Sequence, residues 1–428
     1  MKVLKFGGTS LGSPKLIKDV AKIVQSAQQQ QPGTIVVFSA FSGITNLLVE
    51  AGQKAEKGDQ NYTLANEKIF IKHLNYVDEL FSSEKRHQQI SHQLNSKFRE
   101  IEEITHGMYL LKEMSPKSLD LLQSFGELLS CMIISEYFNS INLNNTFLDT
   151  RKIFITDERY NNARINFDLT ARSINEIITD PAALYISTGF IASSGKGTTT
   201  TIGRSGSDLT AAIYGAALTA DHVEIWTDVS GVMSADPRKV KDAFPLKSIS
   251  YVEAMEMSHF GAKVIHPLTV QPLMDNDVPC LIKNTFQPAA PGTRITNEPA
   301  NRCPAKGVTS IDNIALITLQ GSGMIGIEGT ASRMFAALAQ NKINVILISQ
   351  ASSEHSICAA IKPEFAELAQ DCLEEEFAAE IGAKFIDRVK IEKDLSIIAI
   401  VGEQMQHTPG ISGRLFEALA EKNVNVVA

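Results

Sequence analysis

The chain has 428 residues, 44% hydrophobic and 21% charged, a formal charge of −8 and a pI near 5.7. That is length for about two to three domains of roughly 150 residues. The acidic balance leaves no excess of cations to displace counterions from a nucleic-acid backbone, and no apolar run nears the ~20 residues of a membrane helix. Five scattered cysteines without C-x-x-C or metal spacing, and a start that runs straight into a strand-like segment, predict a cytoplasmic protein with no nucleic-acid or membrane partner.

Val3 to Phe6 is a short apolar run containing Lys5, followed by Gly7-Gly8-Thr9-Ser10. Ser13-Pro14 then supplies an N-cap and a first-turn proline. Leu16, Ile17, Val20, Ala21 and Val24 follow on one helical face. After the Pro32-Gly33 break, Thr34 to Phe38 is a continuous run of the buried parallel kind. This βαβ unit predicts ligand loops at the carboxyl ends of its strands.

Residues from about 46 to 140 predict helices. Strand signals resume at 183–187 and 223–226, around the Gly/Thr/Ser-dense patch Ser193 to Asp208. A last strand at 280–283 runs into Pro288-Ala289-Ala290-Pro291-Gly292, which predicts a domain boundary.

Beyond about 310 the order reads βαββαβ, with strands at 314–319, 345–349, 357–361 and 395–401 and helices at 330–341 and 363–380. Gly329, Arg333, Phe335, Ala337, Leu338, Ala339, Asn344 and Val345 recur 81 residues later as Gly410, Arg414, Phe416, Ala418, Leu419, Ala420, Asn425 and Val426. The second copy reaches Val427-Ala428 inside its predicted second strand. The expected divisions are 1–295, 310–390 and 391–428, the last an incomplete copy.

Two loops suit a polyphosphate. Gly7 and Gly8 expose backbone N–H groups beside the Lys5 ammonium; the same pair also makes a plain tight turn. Gly203 to Asp208 opens a small-residue helix whose dipole favours an anion, and Arg204 carries a planar fork for a carboxylate; Ser207 or Asp208 could equally be only an N-cap. Gly189 to Lys196 has the wrong spacing for a Walker A loop, and Gly197 stands where Ser or Thr is required. Gly321 to Gly326 spells G-x-G-x-x-G outside a βαβ unit, which predicts a permissive turn rather than a dinucleotide site. Thr227-Asp228 at a strand end serves a nucleotide, a metal or a turn equally well. His259 and His266 read as structural, Cys131 as core, and Glu374-Glu375-Glu376 as a solvated helix face.

Taken together, Lys5 to Ser10, Ser39-Ala40 through Thr45-Asn46, Gly126-Glu127, Gly203-Arg204 to Ser207-Asp208, Trp226-Thr227-Asp228 and Gly261-Ala262-Lys263 resemble the aspartate kinase family, and the tail resembles its paired ACT modules. Ile348 to Glu354 looks like the threonine-sensitive branch that also carries a homoserine dehydrogenase. The resemblance implies an α/β fold: an amino-acid-kinase three-layer sandwich followed by ferredoxin-like ACT modules. It implies ATP, Mg²⁺ and phosphorylation of the β-carboxylate of L-aspartate, a phosphotransferase reaction with a carboxyl acceptor. By similarity, Lys5 stabilises the transferring phosphoryl with Gly7 and Gly8 alongside, and Asp208 orients Lys5 or carries a metal-bound water. Arg204 holds a substrate carboxylate and Glu127 the α-ammonium, with Thr45 and Ser207 as further contacts. Thr227, Asp228, Arg238 and Lys263 match nucleotide-side positions, and Gln350 an effector contact for threonine or lysine. A homodimer or higher homo-oligomer is implied as well. Met233 departs from the pattern, standing where relatives usually carry a tyrosine.

Overall fold

The computed structural model describes residues 1–259, 265–299, 303–324, 327–350 and 355–428. They divide into two compact units, the first running to Pro299 and the second from Cys303.

In the first unit the chain runs β1 (Lys2–Phe6), α1 (Pro14–Gln30), β2 (Thr34–Phe38), α2 (Ile44–Glu56), α3 (Tyr62–Leu80), α4 (Glu84–Leu111) and α5 (Pro116–Ser140). It continues through β3 (Thr146–Leu148), β4 (Ile155–Thr156), α6 (Phe167–Ile177), β5 (Leu184–Thr188), β6 (Ile191–Ser194), β7 (Thr199–Thr201), α7 (Gly206–Ala217) and β8 (His222–Thr227). β9 (Ser248–Ser250), α8 (Tyr251–His259), α9 (Pro267–Asp275), β10 (Cys280–Asn284) and β11 (Thr293–Thr296) complete it.

The main sheet has the order β3-β5-β2-β1-β8-β10-β11-β9. It is parallel from β3 to β10, and β11 turns back antiparallel to β10. Because β2 lies on one side of β1 and β8 on the other, the strand order reverses at β1. The carboxyl ends there are the topological switch point, where this class of sheet leaves a crevice.

Alternation along the strands loads both faces. Leu4, Phe6, Val36, Phe38 and Trp226 belong to one buried cluster that α1 and α5 cover, with Phe6 stacked 5.7 Å from Phe38 and 5.6 Å from Trp226. α7 packs on the opposite face against β1, β2 and β8, with α6 and α9 behind it. Three layers result. α1 starts as expected, the Ser13 hydroxyl accepting from Leu16 N with Pro14 in the first turn. The same cluster continues into the helical stretch α2–α5 through Ile69, Tyr76, Phe98 and Leu122.

Two expectations are corrected here. The stretch Pro288–Gly292 is no domain boundary but the turn that returns β11 onto β10. Gly292, at φ +75°, sits where a Cβ would lie 2.1 Å from the Ile282 carbonyl oxygen, so the turn closes only around a glycine. The N-cap of α7 is Ser205, in a left-handed conformation with no side-chain cap, rather than Ser207 or Asp208.

The second unit runs β12 (Gly307–Gln320), α10 (Thr330–Gln340), β13 (Leu347–Gln350), β14 (Ser356–Ile361), α11 (Ala366–Glu376), α12 (Ala378–Gly382), β15 (Lys390–Val401) and α13 (Ile411–Glu421). Its sheet order, β13-β14-β12-β15, is the ferredoxin-like arrangement. The repeat has a geometric counterpart. α10 and α13 are each eleven residues long and begin at glycines of φ +89° and +86°. Lys306 N donates to Val401 O at 2.8 Å and Asp387 N to Gln320 O at 2.7 Å, a reciprocal pair displaced by the same repeat. β12 and β15 therefore lie antiparallel about a local pseudo-twofold, and β15, the counterpart of β12 in the second copy, begins at Lys390.

The Gly321-x-Gly323 turn is a packing device: a Cβ at either position would come within 2.3 Å of Phe385 atoms. The acidic run is only partly a solvated face. Arg333 reaches Glu376 at 2.7 Å and Glu380 at 2.5 Å, with its guanidinium 4.5 Å from the Phe377 ring centre.

Candidate active site

β1 ends with Lys5 pointing away from the Leu4–Phe6 cluster. Its Nζ lies 2.5 Å from Asp208 Oδ1 in the first turn of α7, and both side chains are largely buried. Alternation on β1 and the docking of α7 across it bring these two charges together. Gly7 keeps the space beside the ammonium open, since a Cβ there would stand 3.3 Å from Nζ.

Around this pair is a cavity of about 500 Å³, lined by Lys5, Gly8, Thr9, the 39–46 loop, Glu127, Phe190 and Gly203 to Asp208. Lys5 and Arg204 thus line one cleft. Arg204 is exposed and makes no ion pair or hydrogen bond among the described residues.

Glu127, on α5, is 4% exposed. Its Oε1 accepts from Ala40 N at 3.2 Å, while Oε2 is buried without a partner among the described residues. Burial pushes this carboxyl up to about 8, against the opposing donation from Ala40 N–H. A buried, half-satisfied acid at a cavity wall is suited to a cationic ligand group.

Ser207 Oγ accepts from Ser39 Oγ at 3.0 Å, and Ser130 Oγ donates to Ser39 O at 2.9 Å. The 39–46 loop is braced from the helical stretch. Phe41 stacks on Tyr76 with ring centres 3.9 Å apart, Tyr76 Oη donates to Leu11 O, and Lys72 Nζ donates to Ser42 O.

Of the residues assigned by resemblance to the nucleotide side, Thr227, Asp228 and Arg238 are not part of this lining. Thr227 ends β8, beside the carboxyl end of β1, with Oγ1 donating to Asp228 Oδ1 at 3.2 Å. Arg238, mostly exposed, forks onto Asp236 at 3.0 and 2.8 Å, and this side-chain bond holds the Asp236 carboxyl down at about 2. Lys263 lies outside the described residues. Gln350 is exposed at the end of β13, and residues 351–354 lie outside the described set. His266 caps α9 through Nδ1, and Cys131 is fully buried in α5, both as expected of structural residues.

A family model described as the amino acid kinase family matches residues 1–284, and one described as an ACT domain matches 317–377 and 398–428. The chain belongs to the amino acid kinase family. Within it the relatives are aspartokinases. It is 37% identical over its whole length to bifunctional aspartokinase/homoserine dehydrogenase 2 of Zea mays, covering 47% of that protein. It is 32% identical to aspartokinase 1 of Arabidopsis thaliana, with 99% of this chain and 74% of that one aligned. The structure of E. coli aspartokinase III in complex with aspartate and ADP superposes with a TM-score of 0.79 at 30% identity, covering 98% of this chain and 92% of the other. The chain spans about half the length of the bifunctional relatives it matches.

In this family member the fold gathers Lys5, Gly8, Thr45, Glu127, Arg204, Ser207 and Asp208 on one cavity. Ser39, Asn46 and Phe190 line it too, without having been singled out from the sequence as site residues. Phe190 follows a buried strand and Gly189, a strand-end signal read only against the Walker pattern. Gly189 serves a different purpose: a Cβ there would fall 2.6 Å from Ser207 Oγ and 2.9 Å from its Cα. Gly189→Ala is expected to lower stability by about 1–3 kcal/mol through overpacking. Urea unfolding would check this, and a midpoint equal to the parent would mean that Ser207 yields freely.

Proposed function

We propose that the chain carries aspartate kinase activity: the β-carboxylate of L-aspartate attacks the γ-phosphorus of ATP, the bond from that phosphorus to the β,γ-bridging oxygen breaks, and 4-phospho-L-aspartate and ADP leave. The observation that carries this reading is the single cavity bounded by the Lys5–Asp208 pair at one end and by Arg204 and the unpartnered Glu127 Oε2 around it. A carboxylate is already an anionic nucleophile at neutral pH, so the site needs no general base, only alignment and charge neutralisation. In this reading Lys5 stabilises the transferring phosphoryl, oriented by Asp208, with Gly7 and Gly8 leaving room for phosphate oxygens. Arg204 grips a substrate carboxylate, Glu127 takes the α-ammonium, and Thr45 and Ser207 add polar contacts. Thr227, Asp228, Arg238 and Lys263 belong to the nucleotide side.

Among the described residues no three His, Cys, Asp or Glu side chains gather to hold a metal. A Mg²⁺ brought in on the nucleotide would supply charge neutralisation at its phosphates; Asp208 is the acid paired with Lys5. The second unit is proposed to sense an amino acid, threonine or lysine, through the region of Gln350, and to act within a homo-oligomer. The setting proposed for this activity is the cytoplasm; no described helix is long and apolar enough to cross a membrane.

The test is trapping of acyl phosphate with hydroxylamine in the presence of ATP, Mg²⁺ and L-aspartate. Aspartate hydroxamate is the expected product; signal only from another acid would transfer the activity to a different acceptor, and none from any acid would end the kinase reading.

A pH dependence follows from Glu127. With its carboxyl raised to about 8, the empty site is protonated at pH 7, and binding an ammonium favours the carboxylate and releases the proton. The KM for aspartate is therefore expected to fall as pH rises from 6 to 8, by up to about tenfold per unit, and then to level. Glu127→Gln should abolish the slope. An aspartate KM independent of pH in the parent would remove Glu127 from the ammonium-binding role.

A further inference from the structure

Asp120 lies on α5, fully buried, and no cation among the described residues pairs with it. Three donors converge on its two oxygens. Asn161 N reaches both at 3.0 Å, Thr201 N reaches Oδ2 at 2.9 Å, and Thr201 Oγ1 reaches Oδ1 at 2.7 Å. An ionised carboxylate accepts all three bonds, and they oppose the burial that pushes this carboxyl up.

The two clamped segments flank the Arg204 loop. Thr201 is the last residue of β7, three positions before Arg204. From the other side the 161–162 turn fills the space at Gly203, φ +78°, where a Cβ would lie 2.5 Å from Asn162 Oδ1. Ala163 N donates to Thr201 O at 2.9 Å and closes the two segments on each other. Because the Arg204 side chain makes no bond of its own among the described residues, this backbone alone sets the point from which it reaches into the cavity. Asp120 is also seven residues, two helical turns, before Glu127 on the same face of α5.

We propose that Asp120 is a positioning residue that holds Arg204 at a set distance from Glu127 along one rigid helix, so that α5 gauges the spacing between the groups that recognise the two charged ends of the amino-acid substrate. The inference rests on the substrate assignment made above. It concerns affinity for the amino acid, since neither clamped segment carries a nucleotide-side residue.

The test pairs Asp120→Asn with two changes at Thr201. The amide of Asp120→Asn must turn an N–H toward at least one donor. The aspartate KM is expected to rise at least about tenfold, with the ATP KM within about twofold. Thr201→Val, which removes one donor without changing shape, should raise the aspartate KM in the same sense, whereas Thr201→Ser, which keeps the hydroxyl, should retain the parental value. Hydrogen exchange of the ligand-free protein supplies a readout independent of substrate: amides of 201–206 should exchange faster in Asp120→Asn and Thr201→Val than in the parent. A variant that loses thermal stability with the aspartate KM unchanged, or 201–206 exchange equal to the parent, would overturn the proposal. Failure of the parent to make aspartate hydroxamate would instead strike the substrate assignment, and the exchange measurement would still decide whether Asp120 holds the loop. If Asp120→Asn does not fold, the Thr201 pair decides.

Discussion

Lys5→Ala is expected to lower kcat by about 10²–10³-fold, the usual cost of removing one preorganised electrostatic group from a transition state, with both KM values changing much less. The basis is geometric. Lys5 is locked to Asp208 at 2.5 Å at the switch point of the sheet, with Gly7 leaving open space beside its ammonium. A charge held in place in a largely buried position pays no reorganisation at the moment of transfer, and in a water-poor site it acts at full strength. Steady-state kinetics with each substrate varied in turn will separate kcat from KM. A large rise in both KM values with kcat retained would make Lys5 a binding residue instead. Because the substitution also strands Asp208, a thermal melt is needed to show that the variant is folded.

Arg204→Ala is expected to raise the aspartate KM on the order of 10- to 100-fold, while the ATP KM moves by less than about threefold. The range follows from about 1.5–3 kcal/mol for hydrogen bonds to a charged group. Arg204 is the fork on the cavity wall without a protein partner among the described residues, so removing it strands no buried acid and should cost little stability. Arg204→Lys should recover only part of the loss, because an ammonium cannot form the bidentate pair. The opposite ranking of the two KM values would take Arg204 out of the acid-binding role and shift attention to Lys72, which reaches Ser42 on the loop lining the cavity.

The two predictions separate two functions of one cavity. Lys5 and Asp208 are tied to each other by an ion pair, and Ser207 to Ser39 by a hydrogen bond, so that end is rigid before any ligand arrives. Among the described residues Arg204 and Glu127 Oε2 hold no protein partner, and those are the groups whose bonds a ligand would complete. Preorganisation at the reacting end with unsatisfied groups at the recognition end is the distribution expected when binding energy serves alignment.

Much of the architecture was legible in the residues themselves. Buried parallel strands announce themselves as runs such as Thr34–Phe38, because both faces are covered. Ser13-Pro14 marks a helix start by local hydrogen bonding alone. The repeat in the second unit could be read because each copy solves the same packing problem, down to a left-handed glycine at each helix start. Where long-range packing competes with a local signal, the residues misled. Pro288 to Gly292 carries every mark of a linker, yet the hydrogen bonds of β11 to β10 keep it inside the first unit. At Gly321 and Gly323, read from the sequence as a permissive turn, the structure supplies the reason for the glycines: the approach of Phe385.

By itself, then, the sequence determined the long buried strands β1, β2, β5, β8 and β10 but not the short β3, β4, β6, β7, β9 and β11, and it determined the repeat, the charge-bearing loops and, through their order, the family, because these depend on periodicity, turn chemistry and short motifs. Only the tertiary structure decided that Lys5 binds Asp208, that Glu127 keeps one oxygen unsatisfied at the cavity wall, and that Asp120 clamps the loop before Arg204. Those outcomes depend on which segments pack against each other across the sheet and around α5, and on how much water that packing removes, neither of which is encoded in the spacing of neighbouring residues.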